Sequence, residues 1–176
     1  MGRNLQQRAE KFLKKLKGSG NVNIRDAKKE DIDDIVKMWK ELSDYHRNFL
    51  DYMHLTENWE ENIKNLYSED LNDANRIFLI AEENNERIGF LRGEVRIALS
   101  NIFIVPKSGY ISDIFVCQRF RGSKVAESLM NRAIRWFRRN GISNVRLNVN
   151  SENIRAIRFY NRIGFKRVNE TLNLNV

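Results

Sequence analysis

Apolar positions change their period several times along this chain, and the changes divide it into elements. Between Lys28 and Ser43, the residues Ile32, Ile35, Val36, Trp39 and Leu42 recur at helical spacing and predict an amphipathic helix. Thr56 can cap a second helix running to about Tyr67, with Trp59, Ile63 and Leu66 on one face. The spacing then tightens. Arg76–Glu83 holds the unbroken run Ile77-Phe78-Leu79-Ile80-Ala81, the pattern of a strand buried on both faces. Asn84-Asn85-Glu86 reads as a turn and Arg87–Arg96 as its hairpin partner. Val22–Arg25 is a short strand, and Gly109 opens another over Tyr110–Val116. Ser123–Asn140 returns to helical spacing through Val125, Leu129, Ala133, Ile134, Trp136 and Phe137, and Gly141 ends it. Val145–Val149 is the next strand, Asn153–Ile163 a helix stopped by Gly164, and Phe165–Leu172 a last strand. The connection from Cys117 to Ser143 is long enough for a parallel crossover. Residues 97–108, with the only proline, Pro106, carry no clear period.

Composition adds scale. The chain has 176 residues, 41% hydrophobic and 31% charged, which suits one core. No apolar run approaches the ~20 residues of a membrane-spanning helix. The single cysteine, Cys117, cannot form an internal disulfide, which points to a cytoplasmic setting. The net charge of +8 is concentrated near the start, where Arg3, Arg8, Lys11, Lys14, Lys15 and Lys17 face Glu10 alone. Residues 1–20 therefore read as a basic flexible extension, native or added, and 21–176 as a single domain. The body is only mildly basic, so charge does not compel nucleic-acid binding.

The informative chemistry lies where the strand ending at Val116 runs through Arg121-Gly122 into a helix. Free amide groups and the positive end of a helix dipole meet there, as a phosphate requires. The sequence fits neither a GxxxxGK[ST] nor a GxGxxG loop.

Two signatures in this order resemble the GCN5-related N-acetyltransferase (GNAT) superfamily. The first is Asp113-Ile114-Phe115-Val116-x-x-x-Phe120-Arg121-Gly122-x-x-Val125-Ala126-x-x-Leu129, and the second is Asn153-x-x-Ala156-x-x-Phe159-Tyr160-x-x-Ile163-Gly164-Phe165. Tyr110–Val116 is also similar to the polyamine-acetylating branch. The resemblance implies an α/β fold: a mixed, mostly antiparallel sheet with helices on both faces and two splayed parallel strands. It implies acetyl transfer from acetyl-CoA, as co-substrate and without a metal, to a primary amine by direct attack in a ternary complex. The implied acetyl-CoA contacts are Ile114, Phe115 and Val116 on the strand, then Arg121, Gly122, Ser123, Lys124, Val125 and Ala126 in the cradle, with Asn153 and Ala156 on the later helix. Lys124 stands where the family pattern has glycine. Tyr160 is the implied general acid to the departing thiolate.

The base stays open. Polyamine-type relatives carry a glutamate where this chain has Ser112. Ser112 could hold a water, Asp113 and Glu94 are carboxylate candidates, and a water chain without a dedicated base is a further route. Strand alternation places Asp113 opposite Ser112 unless a bulge intervenes. Tyr45, Phe49, Tyr52 and Trp59 are candidate walls for the acceptor, a small-molecule or peptide amine; polyamine, protein N-terminus, lysine, aminoglycoside and amino acid all fit. A homodimer is compatible with the sequence. The rival readings are a non-catalytic acyl-CoA-binding or sensing module and, behind it, a nucleic-acid-binding protein. The second would use the basic tail and the arginine faces Arg132/Arg135/Arg139 and Arg155/Arg158/Arg162.

Overall fold

A computed structural model describes residues 22–49 and 53–174. The basic segment 1–20 and Tyr52 lie outside the described residues.

The chain runs β1 (Asn23–Asp26), α1 (Ile32–His46), α2 (Trp59–Asp70), β2 (Arg76–Glu83), β3 (Glu86–Arg96), β4 (Ser108–Val116), α3 (Val125–Arg139), β5 (Val145–Leu147) and α4 (Ile154–Arg162). The five strands form one sheet in sequence order. The first three pairings are antiparallel, and β4 pairs β5 in parallel. The β2–β3 hairpin turns through Asn84 and Asn85, at φ +51° and +64°, which the asparagine side chain tolerates better than most.

The apolar run in β2 is explained by its two faces. Ile77, Leu79 and Ala81 pack with Val125, Leu129, Met130, Ala133 and Phe137 of α3. Phe78 and Ile80 pack on the other side with Ile32, Ile35, Val36 and Met38 of α1 and Tyr67 of α2. Helices therefore cover both faces of the sheet. Gly109 lets α3 approach β4 closely, because a Cβ there would stand 2.7 Å from the Phe137 ring.

Asp31, fully buried just before α1, gathers several strands. It accepts 2.7 and 2.8 Å hydrogen bonds from Arg25 of β1, one of 2.9 Å from Arg87 of β3 and one of 2.8 Å from the Lys28 amide. Arg25 also reaches Glu82 of β2 at 2.9 Å.

The last expected strand, Phe165–Leu172, does not form. Phe165 packs onto the core beside Tyr160, but Val168, Leu172 and Leu174 are exposed. Phe165, Val168 and Leu172 stand three and four residues apart rather than alternating, and no strand among the described residues adjoins the segment to complete a ladder.

Candidate functional site

Two irregularities in β4 create the site. The first is a bulge. Gly93 of β3 pairs with Ile111 and Arg92 with Asp113, so Ser112 is the extra residue. A bulge reverses strand alternation, and here it turns Ser112 and Asp113 onto the same face. Both line one cavity of about 420 Å³, together with Tyr67, Arg92, Glu94 and Tyr110.

The second irregularity is a parting of strands. β5 pairs with β4 only at Gly109, Tyr110 and Ile111. From Ser112 to Val116 the β5 side of β4 is left open. The Cys117 amide donates to Ile88 of β3. Counting back in twos, Phe115 and Asp113 direct their main-chain groups to β3, while Ile114 and Val116 direct theirs to the open side. The free edge meets the entrance of α3, where Gly122 sits at φ +81° with open space where a Cβ would be. Among the described residues, the Gly122, Lys124, Ala126 and Glu127 amides have no hydrogen-bond partner. Ser123 turns inward instead: its hydroxyl donates to the Phe120 carbonyl at 2.6 Å and receives the Val125 amide at 3.3 Å. Val125 is buried under the first turn, while Lys124 is exposed and so does not fill the cradle. A row of unpaired amides at the start of a fifteen-residue helix fits a diphosphate.

Arg121 folds back rather than outward. Its Nε donates to the Val116 carbonyl at 3.0 Å, and its guanidinium lies 5.7 Å from the Phe115 ring and 5.9 Å from the Tyr45 ring. Asn153, buried at the start of α4, caps that helix by accepting from the Ala156 amide at 3.2 Å. The Tyr45 hydroxyl reaches the same Asn153 oxygen at 3.5 Å, and Phe49 stands edge-on to Tyr45. The end of α1, the start of α4 and the α3 cradle thus meet. Tyr45 and Phe49 belong to this junction, whereas Trp59 stacks on Trp39, a wall of the Asp113 cavity.

Electrostatics separates the titratable groups. Burial, only partly offset by Arg92 and reinforced by Asp70 and Glu94, pushes the Asp113 carboxyl up to about 6. Burial and the Asp113 charge push the Tyr160 hydroxyl up to about 12. The two groups therefore sense one another across the parted strands. Glu94 is held by Arg76 at 2.5 Å and Arg96 at 2.7 Å. Burial, with Glu41, pushes the Cys117 thiol up, so it stays protonated and is a poor nucleophile at neutral pH.

Tyr67 was not anticipated from the sequence, where it reads only as the end of a helix. It is wholly buried, lines the Asp113 cavity, and has no hydrogen-bond partner for its hydroxyl among the described residues. The Asp70–Arg92–Asp113 chain behind it was likewise hidden, since it joins residues far apart in sequence.

The family model for acetyltransferases of the GNAT family matches residues 35–165, which takes in the parted strands, the cradle and Tyr160. This chain belongs to that family. The GNAT chain is 30% identical over 139 residues to an uncharacterized N-acetyltransferase of Archaeoglobus fulgidus, covering 79% of the chain and 89% of the relative. It is 31% identical over 144 residues to an uncharacterized N-acetyltransferase of Methanocaldococcus jannaschii, covering 81% of the chain but 60% of that longer relative. An aminoglycoside N-acetyltransferase solved with CoA superposes with a TM-score of 0.73 at 19% identity, over 90% of this chain and 96% of that one. That likeness is one of fold.

Proposed function

We propose that this GNAT chain transfers an acetyl group from acetyl-CoA to a primary amine by direct attack in a ternary complex. The observation that carries the reading is the open β4 edge from Ser112 to Val116, which ends on the unpaired amides of the α3 cradle. An extended pantetheine can add to that edge as a strand would, through Ile114 and Val116. The Gly122, Lys124 and Ala126 amides hold the diphosphate at the helix start. Asn153 and Ala156 fix the α4 entrance beside the arm, while Phe115 and Arg121 support the edge from below.

Asp113 is the base in this reading. A carboxylate pushed up to about 6 is ionised at neutral pH, yet holds a proton better than an ordinary aspartate. It takes a proton from the acceptor ammonium directly or through water on Ser112. The amine nitrogen bonds to the thioester carbonyl carbon, the carbon–sulfur bond breaks, the sulfur receives its proton from Tyr160, and the second proton that the nitrogen sheds as the amide forms returns Tyr160 to its neutral state. The Asp113 charge is one cause of the raised Tyr160 value. Once Asp113 is protonated that contribution disappears, so Tyr160 becomes a better acid as the leaving group forms. Glu94, clasped by two arginines, shapes the cavity instead of accepting the proton.

The test is mass spectrometry of an amine panel incubated with acetyl-CoA. Acetylated product at turnover numbers above one supports the reading. Affinity for acetyl-CoA in calorimetry with no product from any amine would replace it with an acyl-CoA-binding module. Tyr160→Phe is expected to depress kcat ten- to a hundredfold with little change in acetyl-CoA affinity; unchanged turnover would remove Tyr160 from the mechanism.

A further inference from the structure

The cavity beside Asp113 is more selective than its arginine content suggests. Its carboxylates are unequally occupied. Asp70, at its back, is bracketed by Arg76 at 2.9 Å and by Arg92. Glu94 is bracketed by Arg76 and Arg96. Asp113 has Arg92 alone, at 3.7 Å. One carboxylate therefore faces the cavity with capacity left.

The guanidinium groups are unequal too. Arg76 and Arg92 are committed to the acids behind them. Arg96, with half of its side chain exposed, gives its Nε to Glu94 and lays its face on the Tyr110 ring, 3.3 Å from the centroid. Neither terminal nitrogen of Arg96 has a hydrogen-bond partner among the described residues. Stacking fixes the plane of the group and leaves its forked edge available to an anion.

Tyr67 supplies a third unmet group. Its hydroxyl is buried without a partner among the described residues in the same cavity, an arrangement that a bound hydrogen-bonding group would complete.

We propose that the acceptor is an amine that also carries a carboxylate, either an amino acid or the amino end of a peptide with an acidic residue. The amino group sits between Asp113 and the Tyr67 hydroxyl, and the carboxylate lies on the free edge of Arg96. This rests on the acetyl-transfer reading above. One free acid and one free guanidinium match one ammonium and one carboxylate. A polyamine or aminoglycoside would bring several ammonium groups to a cavity with one acid left to receive them, and would set a further ammonium against the Arg96 guanidinium, which repels it. A volume of about 420 Å³ is within the range of small-molecule sites.

The experiment compares kcat/KM of the full chain, with acetyl-CoA, across six acceptors. They are glutamate and its diamide, a short peptide with an acidic second residue and its amide counterpart, spermidine, and an aminoglycoside. Each carboxylate acceptor is expected to exceed its amide counterpart at least tenfold, and the larger of the two carboxylate rates identifies the source, free amino acid or peptide. Arg96→Gln, at an exposed position, is expected to bring that ratio close to one. Tyr67→Phe is expected to raise the acceptor KM about tenfold while calorimetric affinity for acetyl-CoA stays the same; a hydroxyl of purely structural importance would move neither acceptor KM nor the ratio. Faster acetylation of spermidine or the aminoglycoside, a carboxylate preference that survives Arg96→Gln, or an acceptor KM unmoved by Tyr67→Phe would overturn this assignment while acetyl transfer itself stands. No product from any of the six would overturn the acetyl-transfer reading.

Discussion

Asp113 shows how one extra residue changes the chemistry available to a strand. Without the bulge at Ser112, alternation would aim Asp113 to the α3 side of the sheet, the face that Ile111 occupies. With it, the carboxylate enters the cavity, desolvated, beside Arg92 and among Tyr67 and Glu94. A base at about 6 gives kcat an ascending limb near that pH and a plateau above it, because Tyr160, at about 12, stays protonated. Asp113→Asn is expected to lower kcat roughly 10²–10⁴-fold and to abolish the limb near pH 6. Its stability should move the other way. The folded value of Asp113 lies above the unfolded one of ~3.9, so the protonated form is favoured on folding. The stability this group contributes at low pH is lost as pH rises from about 4 through 6. At pH 8 Asp113→Asn should therefore melt no lower than the wild type. A lower melting temperature matched by lost activity would make Asp113 structural rather than catalytic. The identity of Asp113 could be read from the sequence; the face it occupies could not, because a bulge has no reliable signature in a single strand.

Whole elements were easier to read than their pairings. The β2 run, the α3 stripe and the Asn153 cap each rest on local patterns, and each appears with boundaries close to expectation. Phe165–Leu172 has no such pattern and is no strand: its apolar residues stand three and four apart, and β5 offers only three residues to pair with. The cavity beside Asp113 was the least legible feature. Its parts come from α1, α2, β2, β3 and β4, and the Asp70, Arg92 and Asp113 side chains meet only in the folded chain. Two changes test the elements that frame the open edge. Asn153→Ala removes the α4 cap and the Tyr45 contact, and is expected to cost about 1 kcal/mol in denaturant unfolding. Asn153→Asp, which caps as well, should recover most of it. Gly109→Ala would press a methyl onto the Phe137 ring where β4 and β5 still pair, at a cost of about 1–3 kcal/mol. An unchanged unfolding midpoint for Gly109→Ala would mean that α3 can withdraw, and that its contact with β4 does not set the place where the strands part.

Across the molecule, strength and chemistry occupy different parts of one sheet. The parted strands β4 and β5 give up main-chain hydrogen bonds, and β1, β2 and β3 are tied together at Asp31. Burial pushes that carboxyl up, but the hydrogen bonds from Arg25, the Lys28 amide and Arg87 outweigh it and hold the group well below the ordinary carboxylate range. The sign is opposite to that of Asp113. Asp31 contributes stability above its unfolded value of ~3.9, and the contribution is lost as pH falls from there toward the depressed folded value. Asp31→Asn would leave Arg87 without its carboxylate and Arg25 with Glu82 alone, at a cost of about 3 kcal/mol at pH 7. Denaturant unfolding of wild type and variant between pH 2 and 8 should show that gap constant above pH 5 and narrowing below pH 4. Because Arg25, Asp31 and Arg87 neither line the Asp113 cavity nor bond to the cradle residues, whatever fraction of Asp31→Asn remains folded should bind acetyl-CoA with wild-type affinity. A gap independent of pH would show that Asp31 is not the acid-sensitive clasp. A weakened affinity in the folded fraction would show that the tied strands and the parted ones are mechanically coupled.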